Sequence, residues 1–419
     1  MNDQREASPA PLPVRSAEAA GRSDKTIIFF GHDSGESTII KRANSFTASG
    51  WRVIGFMFKR IRGVEARPPS WENVELGVTV DLHYWKRVTK LLYAIVMVAM
   101  NGRRLRGSQV FYARNIDMLF VAVVSRYITR SKALLVYEAL DIPRAMLGGS
   151  SVNRTMRWLE RRLLEPCDLL VVSSPEYISR YFAPVQGYRG PWRLLENKIS
   201  ATQMAGQRIQ RVYPRAVPTP WVIGWFGVLR CVRSVELLCS IARRLGEKVV
   251  IHVRGQASEE YLPSRVIHKA AALYPNFRFL GPYVSPYDLP SIYSQIHFSW
   301  CIDYLDAGTN SDWLLPNRIY EGGLFGAVAL ARENTATGNM VRQNQLGYAF
   351  DEPLEQSIAD FIDSMSVNEY LKARSVIEAK DISMFVDQSD TARLLEEFGR
   401  LVGQKNIDTG RATKRGTSR

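Results

Sequence analysis

Two stretches of this chain place charge where packing alone has no use for it. The first, GWFGVLRCVRS at 224–234, ends an apolar run at Gly227 and then sets Arg230 and Arg233 at the start of a helical pattern. A glycine permits close backbone approach, and a helix N-terminus with two guanidiniums can hold a diphosphate. A solvated helix start has the same spacing. The second stretch, WLLPNRIYEGGLFGAVALA at 313–331, brings Asn317, Arg318 and Glu321 together before a small-residue turn at Gly322-Gly323 and an apolar strand at 327–331. A glutamate near a helix start can accept hydrogen bonds from a ribose diol, or it can simply complement the helix dipole. Asn317 and Arg318 are candidates for phosphate contact, and Arg318 could equally be the structural partner of a carboxylate. Asp303, Asp306, Asn310, Ser311 and Asp312 crowd just upstream.

Two earlier stretches could face the other side of a ligand. In GHDSGES, 31–37, the loop residues Gly31, Asp33, Ser34 and Gly35 follow an apolar run. Their amides could point at an anion, or form a plain strand-to-helix turn. In YEALDIPR, 137–144, Glu138 and Asp141 end another apolar run. Carboxylates there can orient sugar hydroxyls or act as a general base. They can also be solvated loop acids, with Asp141 capping a helix. His32 is a lone histidine in the first loop. The chain has 5 histidines without HxH or HExxH spacing and 4 cysteines without CxxC. No protein-held metal is expected, and the thiols read as buried and free in a reducing compartment. Neither GxGxxG nor a GK[ST] loop is present, which removes support from nicotinamide and ATP readings.

These residues sit in a strand–helix alternation that must position them. Apolar strand patterns fall at 26–30, 51–58, 74–80, 110–114, 133–138, 169–174 and 192–197, with a helix at 37–49. A polar, Pro-rich interval at 201–220 reads as a boundary. A second series follows, with strands at 221–227, 248–255, 277–283, 297–303 and 348–352 and helices between them. Apolar strands alternating with helices imply parallel sheets covered on both faces. The fold class is α/β, with two doubly wound Rossmann-like domains facing across a cleft. The expected divisions are a disordered leader at 1–23, a first domain at 24–205, a second at 206–385, a closing helix at 386–403 and a disordered basic tail at 404–419.

The chain has 419 residues and a formal charge of +14, which points to an anionic partner such as a phosphate-bearing substrate or a membrane face. No nucleic-acid motif accompanies the charge, so nucleic acid is not an expected partner. The leader lacks the apolar centre of a signal peptide. YWKRVTKLLYAIVMVAMNGRRLRG, 84–107, is an apolar helix pattern with basic ends, too short to span a bilayer. It reads either as a helix lying on an anionic leaflet or as an ordinary core helix.

IIFFGHDSGEST, YEALD, VVSSPEYISRYF, GWFGVLRCVRS, FLGPYVSPYDLPSIYSQIHFSW and PNRIYEGGLFGAVALA, in this order, resemble a GT-B glycosyltransferase of the glycogen-synthase-like family 4 group. Within it the chain looks closest to the succinoglycan-type enzymes of bacterial exopolysaccharide assembly. The resemblance covers about residues 25–400. It implies a nucleotide sugar held mainly by the second domain, with UDP-glucose the expected donor. Arg230 and Arg233 match the basic pair that neutralises the donor diphosphate, although Arg233 stands where relatives usually have lysine. Glu321 matches the second glutamate of E-x7-E, which holds the ribose. The first glutamate falls at Trp313 and is missing, with Asp312 one residue out of register. Asp141 matches the aspartate of an ExHD-like element whose histidine is here Leu140, leaving His32 as the nearest histidine.

The expected function is therefore a metal-independent transfer of a hexose to a lipid-pyrophosphate-linked sugar. It would take place on the cytoplasmic face of the inner membrane, without a cofactor. Arginines and helix N-termini would meet the charge of the leaving diphosphate. The departures at Trp313 and Leu140 keep a second reading open, a non-catalytic GT-B-like binding subunit of a polysaccharide assembly.

Overall fold

The computed structural model describes residues 25–60, 68–79, 84–202 and 220–416. The leader falls outside them, as does most of the 201–220 boundary interval. The first sheet is built from β1 (Thr26–Gly31), β2 (Arg52–Arg60), β3 (Glu72–Thr79), β4 (Val110–Arg114), β5 (Leu134–Ala139), β6 (Leu169–Val172) and β7 (Trp192–Leu194). Its order is β3-β2-β1-β4-β5-β6-β7, parallel throughout. After β8 (Ile199–Ser200), the second sheet contains β9 (Trp221–Phe226), β10 (Val249–Arg254), β11 (Phe277–Phe279), β12 (Phe298–Trp300), β13 (Val328–Arg332) and β14 (Gly347–Phe350). They are parallel in the order β11-β10-β9-β12-β13-β14. Each sheet reverses its winding once, between β1 and β4 and between β9 and β12. A crevice opens beyond the carboxyl ends of the strands at such a switch point.

Burial follows the strand period of two. In β1, Ile28 and Phe30 enter a core with Phe56, Phe111 and Leu135 on one face of the sheet. Ile27 and Phe29 enter another with Phe46, Tyr112 and Val136 on the opposite face. Both faces are covered, so the strand is a continuous apolar run rather than an alternating one. The second domain has one extensive core, from Ile223 and Trp225 to Leu330 and Phe385.

The chain crosses between domains twice, and the crossings pair. β8 lies parallel to β15 (Val386–Asp387), with Ile199 opposite Val386. Beyond β15 the final helix returns to the first domain, where Leu394, Leu395 and Phe398 join the core around Phe29 and Tyr112. This helix corrects one expectation. It spans Asp390–Gly416, so residues 404–416 are helical rather than a disordered tail. Extending an anchored helix costs far less than nucleating one, and the Lys405 ammonium bonds both Asp168 oxygens at 2.9 and 2.8 Å.

A second correction concerns 313–331. Gly322 and Gly323 are not a turn; they lie inside the Asn317–Leu324 helix. The turn into β13 comes at Gly326, whose φ of 75° suits glycine. The two helical glycines serve packing. A Cβ on Gly322 would lie 3.0 Å from the Ser299 side chain, and one on Gly323 only 2.2 Å from the Phe385 ring. The helix can therefore sit close against β12 and the second crossing.

Candidate active site

The crevice at the β9/β12 switch point faces the first domain across a cavity of about 240 Å³. From the second domain come Phe226, Gly227, Val228 and Arg230 after β9, Tyr283 after β11, Asp303 after β12, and the run Leu314–Arg318 with Glu321. From the first come Glu36 and Thr38 at the start of the Ser37–Ala48 helix, Leu140 and Asp141 after β5, and Ser173 and Tyr177 after β6. Asn197, on the first crossing, closes one side.

Of the candidates named by spacing, Gly227, Arg230, Asn317, Arg318 and Glu321 line this cavity and Arg233 does not. Gly227, at φ 121°, lets the chain leave β9 without a side chain under the cavity. Arg230 pairs with Asp303 at 3.3 Å. Burial opposes the Asp303 charge, but Arg230 and the Leu305 amide outweigh it and hold its carboxyl below the usual range. Arg318 donates Nη1 to the Phe226 carbonyl at 3.3 Å. Its Nε is buried with no hydrogen-bond partner, a donor with capacity to spare beside the cavity. Glu321 is buried and accepts from the Tyr293 hydroxyl at 3.1 Å. Burial pushes its carboxyl up, against Tyr293, Lys41 and Arg318. One protein donor on a carboxylate leaves acceptor capacity for a diol. Asn317 Oδ1 accepts from Asn197 Nδ2 at 2.7 Å.

Arg233 does not join them. It is the second residue of the Val232–Leu245 helix, faces outward, and meets Glu236 and Glu355 at 3.4 Å each. The basic pair at the cavity is Arg230 with Arg318, a residue 88 positions away rather than 3.

The first-domain expectations divide. Asp141 stays at the cavity wall, exposed, with the Asn310 amide at 3.4 Å and the Tyr177 hydroxyl at 3.5 Å. Glu138 does not reach the cavity. It is 1% exposed and lies between two arginines, 2.6 Å from Arg114 and 3.0 Å from Arg42. Burial resists its ionisation, but Arg114 and then Arg42 hold the carboxyl below the ordinary range. A carboxylate so bound can neither orient a sugar nor accept a proton. His32 also stands back from the cavity. Its Nδ1 meets the Asn115 amide at 3.0 Å and its Nε2 lies 2.7 Å from Glu36. Glu36 lines the cavity instead. Burial alone would raise its pKa, yet His32, Arg114 and Thr38 bring it to about 2.

The Gly31–Gly35 loop turns its polar groups on itself. Asp33 accepts from the Gly35 and Arg60 amides at 3.0 and 3.3 Å, and the Ser34 amide donates to Phe58 at 2.9 Å. None of Gly31, Asp33, Ser34 or Gly35 lines the cavity. Gly31 matters for packing, because a Cβ there would lie 3.1 Å from Ile39 and Met57.

Trp313, where the resemblance calls for an acid, packs against the first-domain core, and its neighbour Leu314 is buried in that core. The Ser174 hydroxyl donates to the Trp313 carbonyl at 2.5 Å, and the Ile142 amide donates to Asn310 at 3.0 Å. This segment joins the two domains. Asp312 is no substitute, being held by Arg332 and the Gly308 amide. Spacing gave no cue to Tyr177, Ser173, Tyr283 or Asn197, which are uncharged residues brought in by separate strand ends.

No family model matches the chain. The succinoglycan biosynthesis protein ExoL of Rhizobium meliloti is 32% identical over 381 residues, covering 90% of this chain and 94% of ExoL. Sucrose-phosphate synthase of Thermosynechococcus elongatus superposes with a TM-score of 0.68 at 15% identity, over 91% of this chain and 100% of that one. HepE of Anabaena, solved with UDP and glucose, gives a TM-score of 0.66 at 15% identity, over 90% and 100%. WaaG, described as a glycosyltransferase of lipopolysaccharide biosynthesis, gives 0.58 at 12%, over 86% and 97%. The chain belongs to the family of the succinoglycan biosynthesis protein ExoL and has the GT-B fold of glycosyltransferases.

Proposed function

We propose that this chain transfers a hexose, glucose, from UDP-glucose to a lipid-pyrophosphate-linked sugar during exopolysaccharide assembly, without a metal. The observation that carries the reading is the convergence of Arg230, Arg318 and Glu321 on one cavity at the β9/β12 switch point. Glu321 would hold the ribose. Arg230 and Arg318 would meet the diphosphate as its charge grows on leaving. The co-crystallised UDP and glucose of HepE support the same class of donor. Asp141 faces this group from the first domain and is positioned to order or deprotonate the acceptor hydroxyl. A lipid-linked acceptor would put the reaction at the cytoplasmic leaflet. On the Tyr84–Met100 helix, Ala94 and Val98 are buried, whereas Leu92, Tyr93, Val96 and Met100 are 59%, 51%, 55% and 76% exposed. Exposed Arg103, Arg104 and Arg106 follow. Among the described residues no helix is long and apolar enough to cross a membrane, so an interfacial attachment is the form proposed.

A thermal-shift screen of nucleotide sugars, followed by transfer to a lipid extract, tests the reading. UDP-glucose should raise the melting midpoint through preferential binding to the folded state. Glu321→Ala should weaken UDP binding by roughly tenfold to a hundredfold, the cost of a hydrogen bond to a charged group. Stabilisation by UDP with no turnover on any lipid extract would move the protein to the binding-subunit reading. Indifference to every nucleotide sugar would sink both. For the membrane, co-flotation with vesicles containing phosphatidylglycerol should be lost at high salt and in a Leu92→Ser, Val96→Ser double variant. Equal flotation with neutral vesicles would refute the charge component.

A further inference from the structure

Lys41 does not line the main cavity, yet it shares a small adjoining cavity with Asn317 and Glu321. It sits on the Ser37–Ala48 helix of the first domain and directs its ammonium at the first crossing between domains. It donates to the Asn197 carbonyl at 3.2 Å, to the Lys198 carbonyl at 2.9 Å, and to the Asn197 side-chain oxygen. A lysine can only donate, so the oxygen of the Asn197 amide must face it. The Asn197 nitrogen is thereby turned the other way, where it donates to Asn317 Oδ1 at 2.7 Å. Asn317 opens the helix that carries Arg318 and, one turn on, Glu321. Three bodies are linked by three side chains, Lys41, Asn197 and Asn317: a first-domain helix, the crossing segment and the second-domain donor helix. A small cavity lined by Thr38, Lys41, Asn197, Asn317 and Glu321 adjoins the cleft at this point. Burial, aided by Arg42 and Arg114, brings the Lys41 pKa down to about 7. Burying an amine there, where an apolar side chain would seal the gap, calls for a return elsewhere.

We propose that Lys41 and Asn197 are positioning residues that tie the interdomain crossing to the donor helix, fixing Arg318 and Glu321 for the nucleotide. The inference rests on the donor site proposed above. Lys41 orients the Asn197 amide, and Asn197 holds the first residue of the helix. Loss of either frees the same contact, so the two act as one unit. UDP binding would weaken through Glu321, which would hold the ribose in ground state and transition state alike, and the transition state would lose more through Arg318.

The test is UDP affinity by calorimetry together with donor KM and kcat, for Asn197→Ala, Lys41→Met and the double variant. Each single variant should weaken UDP by roughly threefold to tenfold, the size of one or two hydrogen bonds. kcat per folded molecule should fall by a similar factor through Arg318, and the double variant should match the singles rather than multiply them. A purely structural role would instead lower kcat through a reduced active fraction, with UDP affinity per folded molecule unchanged, and that result overturns the proposal. Multiplicative singles overturn the link between the two residues. If Lys41→Met fails to fold, Lys41→Gln is read in the same way. Wild-type protein that binds no UDP would overturn the donor site and this inference with it. Wild-type binding with unchanged variants would overturn this inference alone.

Discussion

Arg230→Ala should lower kcat for glycosyl transfer by roughly a hundredfold to a thousandfold, the range for removing one preorganised group from a developing anion. Donor KM should change far less. The reason lies in what Arg230 touches. Its ion partner is Asp303 at 3.3 Å, with the arginine side chain 34% exposed and the carboxylate 7%. The pair therefore leaves much of the guanidinium facing the cavity. Before the bond breaks, the donor diphosphate shares its charge with the sugar ester. Afterwards the full charge must be met, and on the proposed reading it would fall to Arg230 and Arg318, the cations among the cavity residues. Asp303 keeps the Leu305 amide at 2.7 Å and the Ser311 hydroxyl at 3.2 Å, so the fold should survive the change. Arg230→Lys should recover part of the rate, because a point charge is restored but the planar fork is not. Stopped-flow or coupled release of UDP gives the measurement. A kcat within threefold of wild type, with the fold intact, would assign the leaving group to Arg318 alone.

Arg233 shows where such charges could and could not be located from sequence. Gly227, Arg230 and Glu321 were legible because each stands next to a recognisable strand end or helix start. Arg233 is three residues from Arg230 and equally basic, yet its side chain meets Glu236 and Glu355 on the outer surface. Spacing along the chain does not tell whether a loop turns before the helix begins. Arg318 was also a phosphate candidate by sequence, but its pairing with Arg230 across 88 residues is something no local pattern reports. The strands were easier. β1, β4 and β5 are buried along nearly their whole length, and an unbroken apolar run is what a doubly covered parallel strand must look like. Gly322-Gly323 misled for a complementary reason. A pair of glycines has the composition of a turn, whereas its use here is to admit Ser299 and Phe385 against a helix. Only the neighbours decide between those uses, and both are distant or on another element.

Glu138 shows the same limit for carboxylates, and the second large effect is expected there. It ends a strand in the company of Asp141, and sequence could not separate the two. In the structure its partners come from 96 and 24 residues away, Arg42 on the Ser37–Ala48 helix and Arg114 at the end of β4. All three side chains are at most 2% exposed. Glu138→Ala should destabilise the protein by about 3–5 kcal/mol, because it strands two cations inside the first domain. Denaturant midpoints at pH 7 measure this. The pH dependence separates the ion cluster from mere packing. The folded-state pKa of Glu138 lies below its ordinary 4.5. Its contribution is thus fully present above that value and is lost as pH falls through the lower, folded value. The gap between wild type and Glu138→Gln, which keeps the shape, should be wide at pH 7 and narrow progressively below pH 4.5. Residual enzyme that remains folded should transfer sugar at close to the wild-type rate per molecule, since Glu138 does not line the cavity. A folded Glu138→Gln with normal stability and no turnover would reverse the assignment and return this carboxylate to the chemistry.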